Sequence, residues 1–231
     1  MIEDTDFETF LYISKNKYQI FVYDKINLKN LYNEEIKNDN EIELNILSKF
    51  LEENIYKIEK IINNFIRNII LIIKDDKVLD VCISIKKKKY KEYVDQKYLE
   101  NILVEAKDIF KENNLDQIIM HMIIISDNNN RNDFLLNNLN KNDDFLFIEV
   151  KFISISNNFT LYFDKLLESH QIKISRYMSG NYIKSYIGDS ATELSFIADK
   201  LNNGLNKNEV QLVSKNKENK GFFEKFFQLF S

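Results

Sequence analysis

Residues 9–23 read TFLYIS (Thr9–Ser14), KNK (Lys15–Lys17) and YQIFVY (Tyr18–Tyr23), and this stretch sets the fold. Two aromatic and β-branched runs flank a short polar turn, which is the pattern of a β-hairpin. A polar region to Asn40 follows. Leu44, Leu47, Leu51, Ile55, Ile58, Ile62 and Phe65 then recur at three- and four-residue steps, which predicts a long helix capped by Asp39 or Asn40. Ile69–Ile73 and Val78–Ile85 are short β-rich runs about Lys74-Asp75-Asp76-Lys77, which reads as a second hairpin turn.

The alternation continues downstream. A helix is expected over Gln96–Asn113, with Asp95 as N-cap and Leu99, Ile102, Leu103, Ala106, Ile109 and Phe110 facing inward. Gln117–Ile125 reads as a buried strand, Asp127–Asp133 as a loop and Phe145–Ser156 as a long strand. Asn157 or Asn158 caps a helix over Phe159–Ser169, and Ile172–Ser175 is a short strand. Ser190-Ala191-Thr192-Glu193 has the spacing of a capping box, opening a helix over Leu194, Ile197, Ala198, Leu201 and Leu205. Strands alternating with helices give an α/β or α+β class. The part from Ile69 to Ile125 reads ββαβ, a compact unit inserted in a larger pattern.

Composition narrows the function. The chain has 231 residues, 44% of them hydrophobic, which suits one large domain or two small ones. A net charge of −4 argues against a dedicated nucleic-acid binder. The single cysteine, Cys82, cannot form an internal disulfide and reads as a small buried hydrophobe in a reducing cytosol. The acidic start, MIEDTDFETF, lacks the basic and apolar regions of a signal peptide. The apolar runs are too short to span a bilayer, which takes about 20 residues. The run Lys86–Lys89 reads as a solvated loop after a strand, since Glu92 and Asp95 follow closely.

Catalytic and cofactor chemistry is hard to find. His121 lies in an apolar strand and reads as a satisfied core histidine; His170 stands at a helix end, where it complements the dipole. Neither has companions at metal-ligand spacing. Gly180, Gly188, Gly204 and Gly221 never cluster, whereas phosphate loops need close glycines so that the backbone can approach the anion. No Gly-x-Ser-x-Gly elbow is present. The expectation is a non-enzyme with no catalytic, cofactor-binding or metal residues.

The end of the chain, Lys220-Gly221-Phe222-Phe223-Glu224-Lys225-Phe226-Phe227-Gln228-Leu229-Phe230-Ser231, carries the clearest functional signal. On a helix, Phe222, Phe223, Phe226, Phe227, Leu229 and Phe230 share one arc and the polar residues the other. A polar stretch, Asn206–Lys220, precedes it as a tether. A short aromatic amphipathic helix on a leash suits the membrane interface, with Lys220 and Lys225 toward the headgroups. The same face also suits docking on its own domain or on a second copy.

The order of elements resembles FtsA, the bacterial cell-division family of actin-like fold. Three stretches carry the resemblance: Tyr12-Ile13-Ser14-Lys15-Asn16-Lys17 between two strands; the helix, strand and insert over Leu44–Phe65, Ile69–Ile73 and Val78–Ile148; and the ending Lys220–Lys225. The resemblance implies a partial actin-like (ribonuclease H-like) domain over residues 1–77 and 149–205. It further implies an SHS2-like insert over 78–148, a linker over 206–220 and a membrane helix over 221–231. Tyr12 stands where the family has the phosphate-loop Asp, and Ser14 where it has Gly, so no nucleotide is expected. The resemblance implies a peripheral protein on the cytoplasmic side of the inner membrane. There it would tether FtsZ-like or other divisome proteins to lipid, with self-association and without nucleic acid. The alternatives are a degenerate actin-like ATPase and a membrane-associated scaffold of a pilus or secretion machine.

Overall fold

The computed structural model describes residues 6–38, 41–88, 96–125, 145–187 and 193–210. The fold is mixed α/β, and the chain divides into two units. Unit 1 comprises Met1–Val78 and Ser156–Leu205; unit 2 comprises Leu79–Ile155 and Asn206–Ser231.

Unit 1 is built on a five-stranded sheet. The chain enters through β1 (Phe7–Ser14), β2 (Lys17–Asp24) and β3 (Lys29–Lys37), an antiparallel meander. Helix α1 (Leu44–Ile62) leads to β4 (Asn68–Lys74), which lies parallel to β1, and β8 (Lys173–Ser179) lies parallel to β4. The order is β3-β2-β1-β4-β8. A three-strand meander extended by parallel strands is the arrangement expected of a partial actin-like domain. The sequence of β4, Asn-Ile-Ile-Leu-Ile-Ile-Lys, is buried over its five central residues. Such an unbroken apolar strand belongs at a sheet centre covered on both faces. Leu47, Phe50, Leu51 and Ile58 bury one stripe of α1, which packs on β2 and β3. After β8 the chain forms α4 (Gly180–Ile187) and α5 (Leu194–Asn202), which pack against each other.

Unit 2 holds β5 (Leu79–Lys88), α2 (Gln96–Asn113), β6 (Gln117–Ile125) and β7 (Phe145–Ser156). The strands form a separate sheet in the order β5-β7-β6. Exposure alternates along β5, as expected of a sheet with one buried face. That face carries Ile85, Ile148, Val150 and Phe152, which pack with Leu103, Ala106 and Phe110 of α2. The Phe110 and Phe152 rings stack with centroids 4.6 Å apart. Unit 1 resumes with α3 (Asn157–Ser169), which packs on β8.

Several expectations need correction. Lys74–Lys77 is no hairpin turn, because β4 and β5 belong to different sheets. Residues 69–125 do run ββαβ, but the first of those strands belongs to unit 1, so the insert itself runs βαββ. Its return to unit 1 falls at Ser156, the last residue of β7, not at residue 149. Strand β3 occupies the region read as merely polar. As the outermost strand it faces solvent almost throughout, so no apolar alternation was required of it. Helix α1 stops at Ile62, where Asn63 turns left-handed (φ 51°), and Phe65 is 73% exposed. Glu193 is itself the N-cap of α5, so it cannot serve as the fourth residue of a capping box. Ser156, rather than Asn157 or Asn158, is the N-cap of α3, and its side chain does not bond the first turn of the helix. Strand β5 takes in Lys86–Lys88, which are not a loop. Cys82 is exposed on the outer side of β5, so it is not a core residue. Burial together with Glu149 still pushes its thiol pKa up, away from reactivity. Glu43, rather than Asp39 or Asn40, is the N-cap of α1. Asp39, Asn40, Asp95 and Ser190, the loop 127–133 and the terminal helix lie outside the described residues.

Candidate functional site

In sheets of this kind ligands gather beyond the carboxyl ends of the parallel strands. In unit 1 those ends are Ser14 of β1, Lys74 of β4 and Ser179 of β8. Three hydrogen-bonding side chains there close turns of the backbone. The Ser14 hydroxyl both accepts from the Lys17 amide and donates to the Lys17 carbonyl, at 3.1 Å, which closes the β1–β2 turn. Asp75 Oδ1 accepts from the Lys77 amide at 2.9 Å and fixes the turn after β4. Ser179 Oγ accepts from the Tyr182 amide at 3.3 Å and caps the first turn of α4.

Two of the lysines here are paired. Lys15 Nζ stands 2.6 Å from Asp76 Oδ2, and Lys17 Nζ stands 2.6 Å from Glu35 Oε2. The hydrogen bond from Lys15 holds the Asp76 carboxyl below its ordinary pKa, and that from Lys17 does the same for Glu35. Both pairs are at the surface, so they orient side chains more than they stabilise the fold.

The centre of the cluster is Tyr12. Its ring is 2% exposed, and the ammonium groups of Lys17 and Lys184 each stand 5.7 Å from the ring centroid. Gly180 closes over it. A Cβ on Gly180 would fall 2.9 Å from Lys74 Cβ, 3.2 Å from Tyr12 Cε2 and 3.3 Å from the Ile73 carbonyl. An apolar ring therefore fills the space between the strand ends where an anion would need backbone N–H groups. This arrangement can brace the strand ends.

Sequence reasoning identified Tyr12 and Ser14 and missed Gly180 and Lys184. The signal for Gly180 was an isolated glycine at the junction of a strand and a helix, a position that marks close backbone approach.

The other candidates fall elsewhere. His121, in unit 2, is buried, and its Nδ1 lies 2.7 Å from Glu209 Oε1. It is a core histidine with a carboxylate partner supplied by the stretch read as linker. Asn206–Val210 belongs to unit 2 and runs antiparallel to β6. The Ile124 amide donates to the Asn208 carbonyl at 2.9 Å and the Val210 amide to the Met122 carbonyl at 2.8 Å. His170 forms the C-cap of α3. Among the described residues no three potential ligands gather as a metal site, and no helix is long and apolar enough to cross a membrane. The proposed membrane residues Lys220, Phe222, Phe223, Lys225, Phe226, Phe227, Leu229 and Phe230 lie outside the described residues.

No family model and no curated protein matches the chain. Among solved structures it is similar to the cytoplasmic domain of EpsL, an inner-membrane component of the type II secretion system of Vibrio cholerae. That match has 8% identity and a TM-score of 0.35, over 75% of this chain and 55% of that one. It is also similar to a Bacteroides thetaiotaomicron protein of unknown function with an actin-like ATPase fold, at 14% identity and a TM-score of 0.33, over 80% and 58%. A third is the PilM–PilN type IV pilus biogenesis complex, at 8% identity and a TM-score of 0.45, over 78% and 49%. The chain thus spans less than two thirds of each. The fold assignment rests on strand order and direction, and these likenesses concern fold alone.

Proposed function

We infer that the chain is a non-enzymatic scaffold of actin-like fold, peripheral to a membrane, which recruits or organises other proteins without nucleotide. The observation that carries the reading is the Tyr12 ring packed under Gly180 at the strand ends, where a nucleotide-using relative would keep an open phosphate cradle. Membrane attachment is assigned to the Phe face of residues 222–230, with Lys220 and Lys225 at its flanks. Of the two settings considered, a pilus or secretion machine is placed first. The division reading loses support from the β1–β2 turn, and it keeps the Lys220–Lys225 ending, which sustains it as the second reading.

Two experiments test this. Millimolar MgATP is expected to leave the melting temperature unchanged, because a ligand raises stability only by binding the native state. A shift of several degrees would restore the degenerate-ATPase alternative. Affinity capture from the native host, with and without Phe223→Glu and Phe227→Glu, is expected to recover pilus or secretion components in the membrane fraction. Recovery of division proteins in their place would reverse the order of the two settings.

A further inference from the structure

The outer face of the unit 2 sheet is not uniform. At one end Asp80 is paired with Lys151 at 2.6 Å, so charge is balanced there. At the other end the register sets Lys86 opposite Phe147 and Lys88 opposite Phe145. Lys86 Nζ lies 4.2 Å from the Phe145 ring centroid and 5.2 Å from that of Phe147. Glu149 follows two residues on from Phe147 along the same face. Phe147 is 66% exposed and Phe145 41%. Phenylalanine has no polar tip to reward such exposure, and an exposed aromatic pair beside cations marks an interaction surface. Lys89 and Lys91 follow in the sequence, outside the described residues.

We propose that Lys86, Lys88, Phe145 and Phe147 form a second membrane contact, which takes an anionic bilayer surface. The lysines meet the headgroup charge, and the rings enter the interface, a division of labour that suits a lipid surface. Charge complementarity names the occupant. The register sets phenylalanines, and no carboxylate, opposite Lys86 and Lys88, so positive charge stands beside exposed rings, which an anionic headgroup layer over an apolar boundary complements. Chain length agrees. Val210 is held on β6 of this same sheet, and residues 211–220 can reach at most roughly 35 Å from it to the amphipathic segment. A tail docked on lipid thereby keeps unit 2 close to the bilayer. The inference rests on the membrane reading of the tail. It adds a charge-selective contact to a mainly hydrophobic one.

The experiment compares the full-length wild type, a patch variant (Lys86→Glu with Lys88→Glu), a ring variant (Phe147→Ser) and a tail variant (Phe223→Glu with Phe227→Glu). Each is sedimented with vesicles of phosphatidylcholine alone and of phosphatidylcholine with phosphatidylglycerol. Melting temperatures equal to wild type show that the exposed substitutions leave the fold intact. The patch variant is expected to bind the anionic vesicles at least about fivefold more weakly, an effect that salt abolishes, and to match wild type on neutral vesicles. The ring variant should weaken binding to the anionic vesicles. The tail variant should lose binding to both. Wild-type binding by both the patch and ring variants, with loss in the tail variant, overturns this inference and leaves the proposed function standing. No binding by the wild type overturns both. Each protein is also passed over immobilised RNA; retention of the wild type but not of the patch variant, with lipid binding unchanged, assigns the patch to nucleic acid and overturns the lipid contact.

Discussion

Single residues at the strand ends decide what unit 1 can bind. Gly180 is required by crowding. Its hydrogen points at Lys74 Cβ and the Tyr12 ring, and neither is the free end of a flexible chain that could swing aside. Gly180→Ala is expected to destabilise the protein by about 1–3 kcal/mol, the usual cost of overpacking, read by denaturant titration. A second residue sets a pH dependence. Asp199 is buried in α5, and burial raises its carboxyl pKa, offset in part by Lys25, Lys200 and the Asn203 amide. An acid with a raised native pKa binds protons more tightly when folded. Its contribution is therefore favourable at low pH and is lost as pH rises through the native pKa. Asp199→Asn preserves an acceptor for the Asn203 amide, which donates to Asp199 Oδ1 at 3.0 Å. It is expected to raise stability at neutral pH and to leave stability below about pH 4 nearly unchanged. Chemical denaturation across that range checks both limbs.

At the scale of elements, the sequence was legible wherever burial imposed a period. The stripe of α1 and the inward face of α2 were read from spacing, and Leu47, Leu51, Ile58, Leu99, Ile102 and Phe110 are indeed buried. Strand β3 was invisible because an outer strand can form through its backbone alone, whatever its side chains. Which sheet β5 joins was also invisible. Four polar residues between two apolar runs serve equally as a hairpin turn or as a passage to another sheet. In the candidate site Tyr12 and Ser14 were legible as departures from a motif, whereas the crowding at Gly180 depends on Lys74, far away in sequence. Glu209 illustrates the same limit, since its stretch looked like tether until a partner 88 positions away gave it a place. Glu209→Ala is expected to cost about 1–3 kcal/mol, because it removes the side chain that pairs with the buried His121 Nδ1. Amide exchange should show the local consequence. The Val210 and Ile124 amides, which bond across this seam, should exchange faster in the variant while those of α1 do not.

For the whole molecule, the two units have separate cores, Tyr12 lying in one and Phe110 in the other. Tyr12→Ala and Phe110→Ala are each expected to cost about 3–5 kcal/mol. Their combined effect in the double variant should equal the sum within about 0.5 kcal/mol, measured by equilibrium unfolding. Strong non-additivity would mean that the cores exchange strain. The register of β5 against β7 bears on how such a chain is assembled. Leu79 sits opposite Ser154, so the residues where the chain leaves unit 1 and where it returns are neighbours once that ladder has zipped. On a ribosome, unit 1 waits for its last strand, since β8 must find β4 across nearly the whole of unit 2. Joining ends that far apart carries a loop-closure penalty that grows with the length of free chain. When the β5–β7 ladder forms first, it shortens that span to the brief link after β4 on one side and to α3 with its flanks on the other, and the emerging β8 meets its site almost as though the intervening segment had never been inserted.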